Sequence, residues 1–142
     1  MPSTSVTAVG SSGVDRRWLA TALAFVGTII FVSSRPYLHA PGPQFELKDN
    51  LAHALEYAVL AFLLWRALVP LVWPDRWIAF GLIVAIAASV GAADELFQGT
   101  IPGRRRDVVD WMSDGTGAAI ATAICAALAG RPRRPRSNAS GR

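Results

Sequence analysis

The hydrophobic positions of this chain fall in long uncharged blocks, not in the stripes of amphipathic helices. Trp18–Ser34, Trp77–Ala93 and Gly115–Gly130 contain no charged residue, and Tyr57–Trp65 is apolar throughout. A helix in water needs a polar face, and blocks of this length without one read as membrane spans. The breaks are equally marked. Pro36, Pro41, Gly42 and Pro43 interrupt Arg35–Asp49, Pro70 and Pro74 follow the second block, and Pro102-Gly103 separates the third from the fourth. Pro132 and Pro135 follow the last block. The pattern predicts helices over about 18–34, 50–69, 77–97 and 107–130, each close to the roughly 20 residues a bilayer requires. The expected fold is all-α, a four-span transmembrane helical bundle within residues 16–130.

Composition agrees with that reading. Of 142 residues 52% are hydrophobic and only 17% charged, with a mean hydropathy of +0.34, against about 25% charged in soluble domains. This excludes a soluble enzyme, a disordered chain and a disulfide scaffold. The single cysteine, Cys125, has no partner for an intrachain disulfide. The net charge of +4 does not indicate nucleic acid, because five of the fourteen basic residues lie in Arg131–Arg142, directly after an apolar block. That is where cytoplasmic anchoring charge belongs. Met1–Asp15, rich in Ser, Thr, Val and Gly, is expected to be a disordered cytoplasmic tail, and 131–142 a basic one. Arg16 and Arg17 before an apolar run, with Val32-Ser33-Ser34 behind it, have the outline of a signal peptide. The run is longer than a signal core, so it is read as a retained span.

Lys and Arg set the orientation. With the N-terminus inside, Arg16, Arg17, Arg66, Arg76 and the five arginines of the C-terminal tail face the cytoplasm. Arg35, Lys48, Arg104, Arg105 and Arg106 face outward. The excess predicts a multi-pass cell-membrane protein with both termini cytoplasmic. Trp18, Trp65, Trp73, Trp77 and Trp111 all fall at predicted span ends, where indole rings favour the headgroup layer.

In this topology the ionisable residues gather at the outer end. His53 and Glu56 open the second span, Asp94, Glu95 and Gln98 close the third, and Asp107, Asp110 and Asp114 open the fourth. His53 with Tyr57, and Asp94 with Gln98, are i,i+4 pairs that share a helical face. A carboxylate facing hydrocarbon costs on the order of 3 kcal/mol, so these groups should face the bundle interior or a wet cavity. Gly115, Gly117, Ala118 and Ala121 read as close-packing positions.

Asp94-Glu95-Leu96-Phe97-Gln98, the arginines, and Asp110-Trp111-Met112-Ser113-Asp114-Gly115-Thr116-Gly117, together with His53-Ala54-Leu55-Glu56-Tyr57, resemble the VanZ-like family of small integral membrane proteins. The likeness runs from about Ser33 to Leu128. Two positions depart from the family pattern: Asn50 stands where lysine is frequent, and Asp114 where asparagine is usual. The second change adds a negative charge to the cluster. The resemblance implies a fold and a cell-envelope setting, since the founding member is associated with resistance to teicoplanin; it implies no reaction.

Three readings of the cluster follow. In the first, Arg104, Arg105 and Arg106 bind an anionic envelope amphiphile or lipid phosphate, with Glu95, Gln98, Asp114 and Tyr57 shaping a polar pocket. In the second, the chain is an intramembrane enzyme on a lipid-linked substrate, with His53, Glu56, Asp94 and Asp110 as candidate catalytic groups. In the third, charge pairing merely fixes the bundle and the protein is a structural or assembly partner. His53, Glu56, Asp94 and Asp110 are also donor types for a divalent ion. Without a His-Glu-x-x-His motif, and with His39 alone in a loop as second histidine, the expectation is no metal and no cofactor. Membrane lipids are the expected surroundings.

Overall fold

The computed structural model describes residues 13–35, 46–72, 75–104 and 106–129. They form four helices in an up-down-up-down bundle: α1 (Arg16–Ser33), α2 (Glu46–Val72), α3 (Arg76–Gln98) and α4 (Val108–Leu128). No strand occurs among the described residues, in agreement with the all-α expectation. His39, Trp73, Arg105 and both predicted tails up to Ser12 and from Gly130 lie outside them.

Three helices begin at an aspartate. Asp15 accepts from the Arg17 and Trp18 amides, Asp75 from those of Trp77 and Ile78, and Asp107 from that of Val109. Each carboxylate satisfies amides that the first turn leaves unpaired. Asp15 also belongs to the bundle, since its own N–H donates to the Ala67 carbonyl at 2.9 Å.

Two predicted boundaries move. α2 starts at Glu46, not near Asn50, and runs past Pro70 to Val72. Pro70 lies in the last turn, so the bond its missing N–H cannot make and the crowding of its ring against the preceding turn affect only the end of α2. The loop between α3 and α4 is as expected. Arg104 N–H donates to the Ile101 carbonyl at 3.1 Å, and Gly103 has φ 83°. Proline followed by a glycine of positive φ is a type II turn.

Three of the four helices, α1, α2 and α3, are long and apolar enough to cross a membrane. The four-span expectation is corrected in this respect. α4 has comparable length, but Asp110, Ser113, Asp114, Gly115, Thr116 and Gly117 dilute its first half. Large side chains point outward from the bundle, among them Leu23, Leu55, Trp77, Ile120 and Leu128, which is the arrangement expected where the solvent is hydrocarbon. Inside, Tyr57, Leu60, Ile83 and Ala118 are fully buried.

Packing in lipid relies on close approach of backbones, and small residues permit it. A Cβ on Gly117 would come within 2.6 Å of the Ala54 carbonyl carbon, so α4 rests against α2 at this point. A Cβ on Gly91 would stand 2.8 Å from an Asp114 carboxylate oxygen, so α3 yields the room that Asp114 occupies. The tryptophans divide. Trp18 meets the Phe62 ring edge-on with the Arg66 guanidinium 4.7 Å above it, and Trp77 is exposed. Trp65 is a core residue and not an interfacial one, because its ring turns into the bundle seven residues before α2 ends.

Candidate functional site

The polar residues converge at one end of the bundle, where α1 and α3 end and α2 and α4 begin. They form two adjoining groups. The first joins α1, α3 and the following loop. Asp94, 4% exposed, accepts through Oδ2 from Ser33 Oγ at 2.7 Å and from Gln98 Nε2 at 2.8 Å. Gln98 Nε2 also reaches Ser33 Oγ at 3.2 Å, while its Oε1 accepts from Arg104 Nη1 at 3.1 Å. Arg104 Nε donates to the Arg35 carbonyl at 3.3 Å. The i,i+4 spacing of Asp94 and Gln98 is what brings both onto the α1-facing side of α3.

The second group joins α2, α3 and α4. His53 Nδ1 lies 3.0 Å from Asp114 Oδ1, and its Nε2 lies 3.8 Å from Asp110 Oδ2. Asp114 is 1% exposed, whereas the His53 and Asp110 side chains retain 17% and 20%. Glu95 Oε2 accepts from the Asp107 N–H at 2.7 Å, tying the end of α3 to the residue that caps α4. Donor atoms of His53, Glu95 and Asp110 lie within 4.8 Å of one another. This is the set of residues that the geometry offers to a metal ion.

Three buried side-chain atoms at this end have no hydrogen-bond partner: Tyr57 Oη, Asp94 Oδ1 and Glu95 Oε1. Each such atom costs about 1–3 kcal/mol relative to a satisfied one. Tyr57 is fully buried beneath the cluster. Glu56 is half-buried on α2 and, like Asp94, stands outside the three-donor group. Asp107 acts as a cap.

In the connecting loop Arg106 is exposed and its side chain lies across Gly99, which has no Cβ to obstruct it. Two participants carried little signal in the sequence. Ser33, read only as part of a cleavage context, is a buried donor to Asp94. Trp111 donates through Nε1 to the Ala88 carbonyl at 3.0 Å, bracing α4 on α3. A separate open apolar groove lies along α3, lined by Ala85, Ile86, Ser89, Val90 and Ala93.

The motif residues thus sit together at one end of an apolar bundle, and the sequence profile of the family described as VanZ/LLP1 matches residues 6–129. The chain belongs to the VanZ/LLP1 family. No curated protein and no solved structure matches it significantly. The match spans all four helices and both polar groups. Membership, with three helices able to cross a bilayer, makes this a VanZ-like membrane protein.

Proposed function

We propose that the polar end of this VanZ-like protein faces the extracytoplasmic side and binds an anionic amphiphile of the cell envelope through its arginine loop, lowering sensitivity to a teicoplanin-type glycopeptide. The observation that carries this reading is the seating of the loop on the buried cluster. Arg104 is held by Gln98 and by the Arg35 carbonyl, which leaves the exposed Arg106 beside it on a braced platform. Guanidinium groups held in fixed positions suit phosphate and carboxylate, which they can contact through two parallel N–H donors. An apolar bundle beneath such a loop suits the acyl chain of the same ligand. The outward orientation rests on the excess of arginine at the opposite end and in the C-terminal tail.

The test is a susceptibility assay in a teicoplanin-sensitive host expressing the full chain or its Arg106→Ala variant at equal membrane abundance. The intact chain should raise the inhibitory concentration and the variant should lose most of that increase. Equal protection by both, or none from the intact chain, would overturn the reading.

One observation favours a second reading, catalysis on a lipid-linked substrate. His53 held through Nδ1 by a buried carboxylate is the arrangement of an oriented general base. Under this reading His53→Gln abolishes turnover of a lipid-linked envelope substrate at normal abundance, whereas Arg106→Ala raises only the substrate concentration required.

A further inference from the structure

We propose that His53, Glu95 and Asp110 form a binding site for one divalent metal ion of the zinc class, with Asp114 as the group that orients the histidine. The inference does not depend on the ligand or the orientation proposed above.

The site is assembled from three helices, with His53 from α2, Glu95 from α3 and Asp110 from α4. Their donor atoms lie within 4.8 Å of one another, and His53 Nε2 is 3.8 Å from Asp110 Oδ2. Zinc held at its usual 2.0–2.2 Å from nitrogen and oxygen places tetrahedral donors about 3.4 Å apart. Side-chain rotations that bring the donors closer by about 0.4 Å to about 1.4 Å close that difference. At 3.8 Å the imidazole and the Asp110 carboxylate are within ion-pair range but too far apart to hydrogen-bond to each other, so neither is committed to the other as a hydrogen-bond partner.

A second observation points independently to a ligand. Glu95 is 7% exposed, and its two oxygens differ in their surroundings. Oε2 accepts the Asp107 N–H, while Oε1 is buried without a partner. The carboxylate that closes the three-donor group therefore has one oxygen committed to the fold and one left over. A cation bound by this carboxylate would supply the partner that Oε1 lacks.

The imidazole is prepared in the same sense. With Nδ1 3.0 Å from Asp114 Oδ1, the tautomer that donates from Nδ1 to this carboxylate presents its Nε2 lone pair on the side of Asp110. Carboxylate–histidine–metal relays of this kind fix the tautomer and raise the basicity of the ligand. Charge favours the ion as well. Glu95, Asp110 and Asp114 concentrate negative charge at the end of an apolar bundle, where an uncompensated carboxylate is expensive. The residual exposure of His53 and Asp110 provides the route by which an ion enters. One nitrogen and two carboxylate donors suit zinc, with manganese weaker in the same site by the usual order of affinities. Three protein donors leave a coordination position for water or for an anionic ligand.

The test uses the full chain purified in lipid nanodiscs and stripped with a chelator, then titrated with zinc chloride by calorimetry, with zinc content measured by mass spectrometry after desalting. The intact chain should take up about one ion per molecule. Glu95→Gln keeps an acceptor for the Asp107 N–H and removes the charge; it and Asp110→Asn should each weaken binding at least about tenfold. Cys125→Ser, in the apolar second half of α4, should bind as the intact chain does. Cobalt in place of zinc should give a visible absorption band that Asp110→Asn removes. Substoichiometric zinc in the intact chain, or unchanged affinity in folded Glu95→Gln and Asp110→Asn, would overturn the proposal. If Glu95→Gln fails to accumulate, Asp110→Asn decides alone, since the Asp110 side chain caps no helix.

Discussion

The two ring nitrogens of His53 have different neighbours. Nδ1 meets the buried Asp114 at 3.0 Å, and Nε2 is directed toward the more exposed Asp110. Asp114 is also the position at which this chain departs from the family pattern by replacing an amide with a carboxylate. Asp114→Asn restores the amide and tests what the extra charge contributes. An amide oxygen still accepts the Nδ1 proton, so the variant should reach normal abundance. Its zinc affinity should fall by about 10–100-fold, the usual effect of removing a carboxylate that backs a histidine ligand. Calorimetry beside the intact chain measures this, and equal affinities would show that the hydrogen bond alone, without the charge, sets the imidazole. The residues of this site were legible in the sequence because ionisable groups are conspicuous in apolar surroundings: His53, Glu95, Asp110 and Asp114 were all singled out. Which of them meet was not legible. Glu56 and Asp94 carry the same chemistry, and only the rotation of α2 and α3 decides that Glu95 and not they completes the three-donor group. Ser33 was missed for a related reason, since a serine at a helix end is unremarkable until α3 places a buried carboxylate 2.7 Å away.

At the scale of the element, blocks without charge located the helices, whereas the capping of α1 and α3 by Asp15 and Asp75 emerges only from the structure. α2 runs two residues past Pro70, because a proline in the last turn disturbs only the end of the helix. The join between α2 and α4 was visible only as a run of small residues, whose individual importance comes from contact. Gly117 rests on the Ala54 backbone, whereas nothing lies within 4 Å of a Cβ added at Gly115. Gly117→Ala should therefore push α4 from α2 and destabilise the bundle by about 1–3 kcal/mol, the range for overpacking a close contact. Gly115→Ala should be neutral or stabilising by up to about 1 kcal/mol, as alanine replaces glycine within a helix. Thermal unfolding of the two variants in the same detergent distinguishes them, and equal melting temperatures would contradict the close crossing. Displacing α4 also moves Asp110 and Asp114 away from His53, so Gly117→Ala should weaken zinc binding although it touches no donor.

For the whole molecule, the question is how α4 lies in a membrane. Its composition is the least apolar of the four, yet composition averages over faces that packing separates. Asp114 is buried and Asp110 half-buried against the other helices, while Val108, Met112, Ile120, Ile124 and Leu128 point away from the bundle. Carboxylates turned inward are shielded from lipid, and the large side chains that remain outward are apolar. With 21 residues, α4 is about 31 Å long, close to the thickness of the hydrocarbon core. If α4 does cross, the orientation proposed above puts its N-terminal end outside and Ala129 in the cytoplasm. Single cysteines at Thr100 and Ala129, in a Cys125→Ser background, bracket it. An impermeant thiol reagent applied to intact cells should label Thr100→Cys and should reach Ala129→Cys only after lysis. Labelling of both from outside would mean that α4 folds back without crossing. The reverse pattern would place the polar end in the cytoplasm, where soluble phosphates replace envelope amphiphiles as the anions its arginines meet.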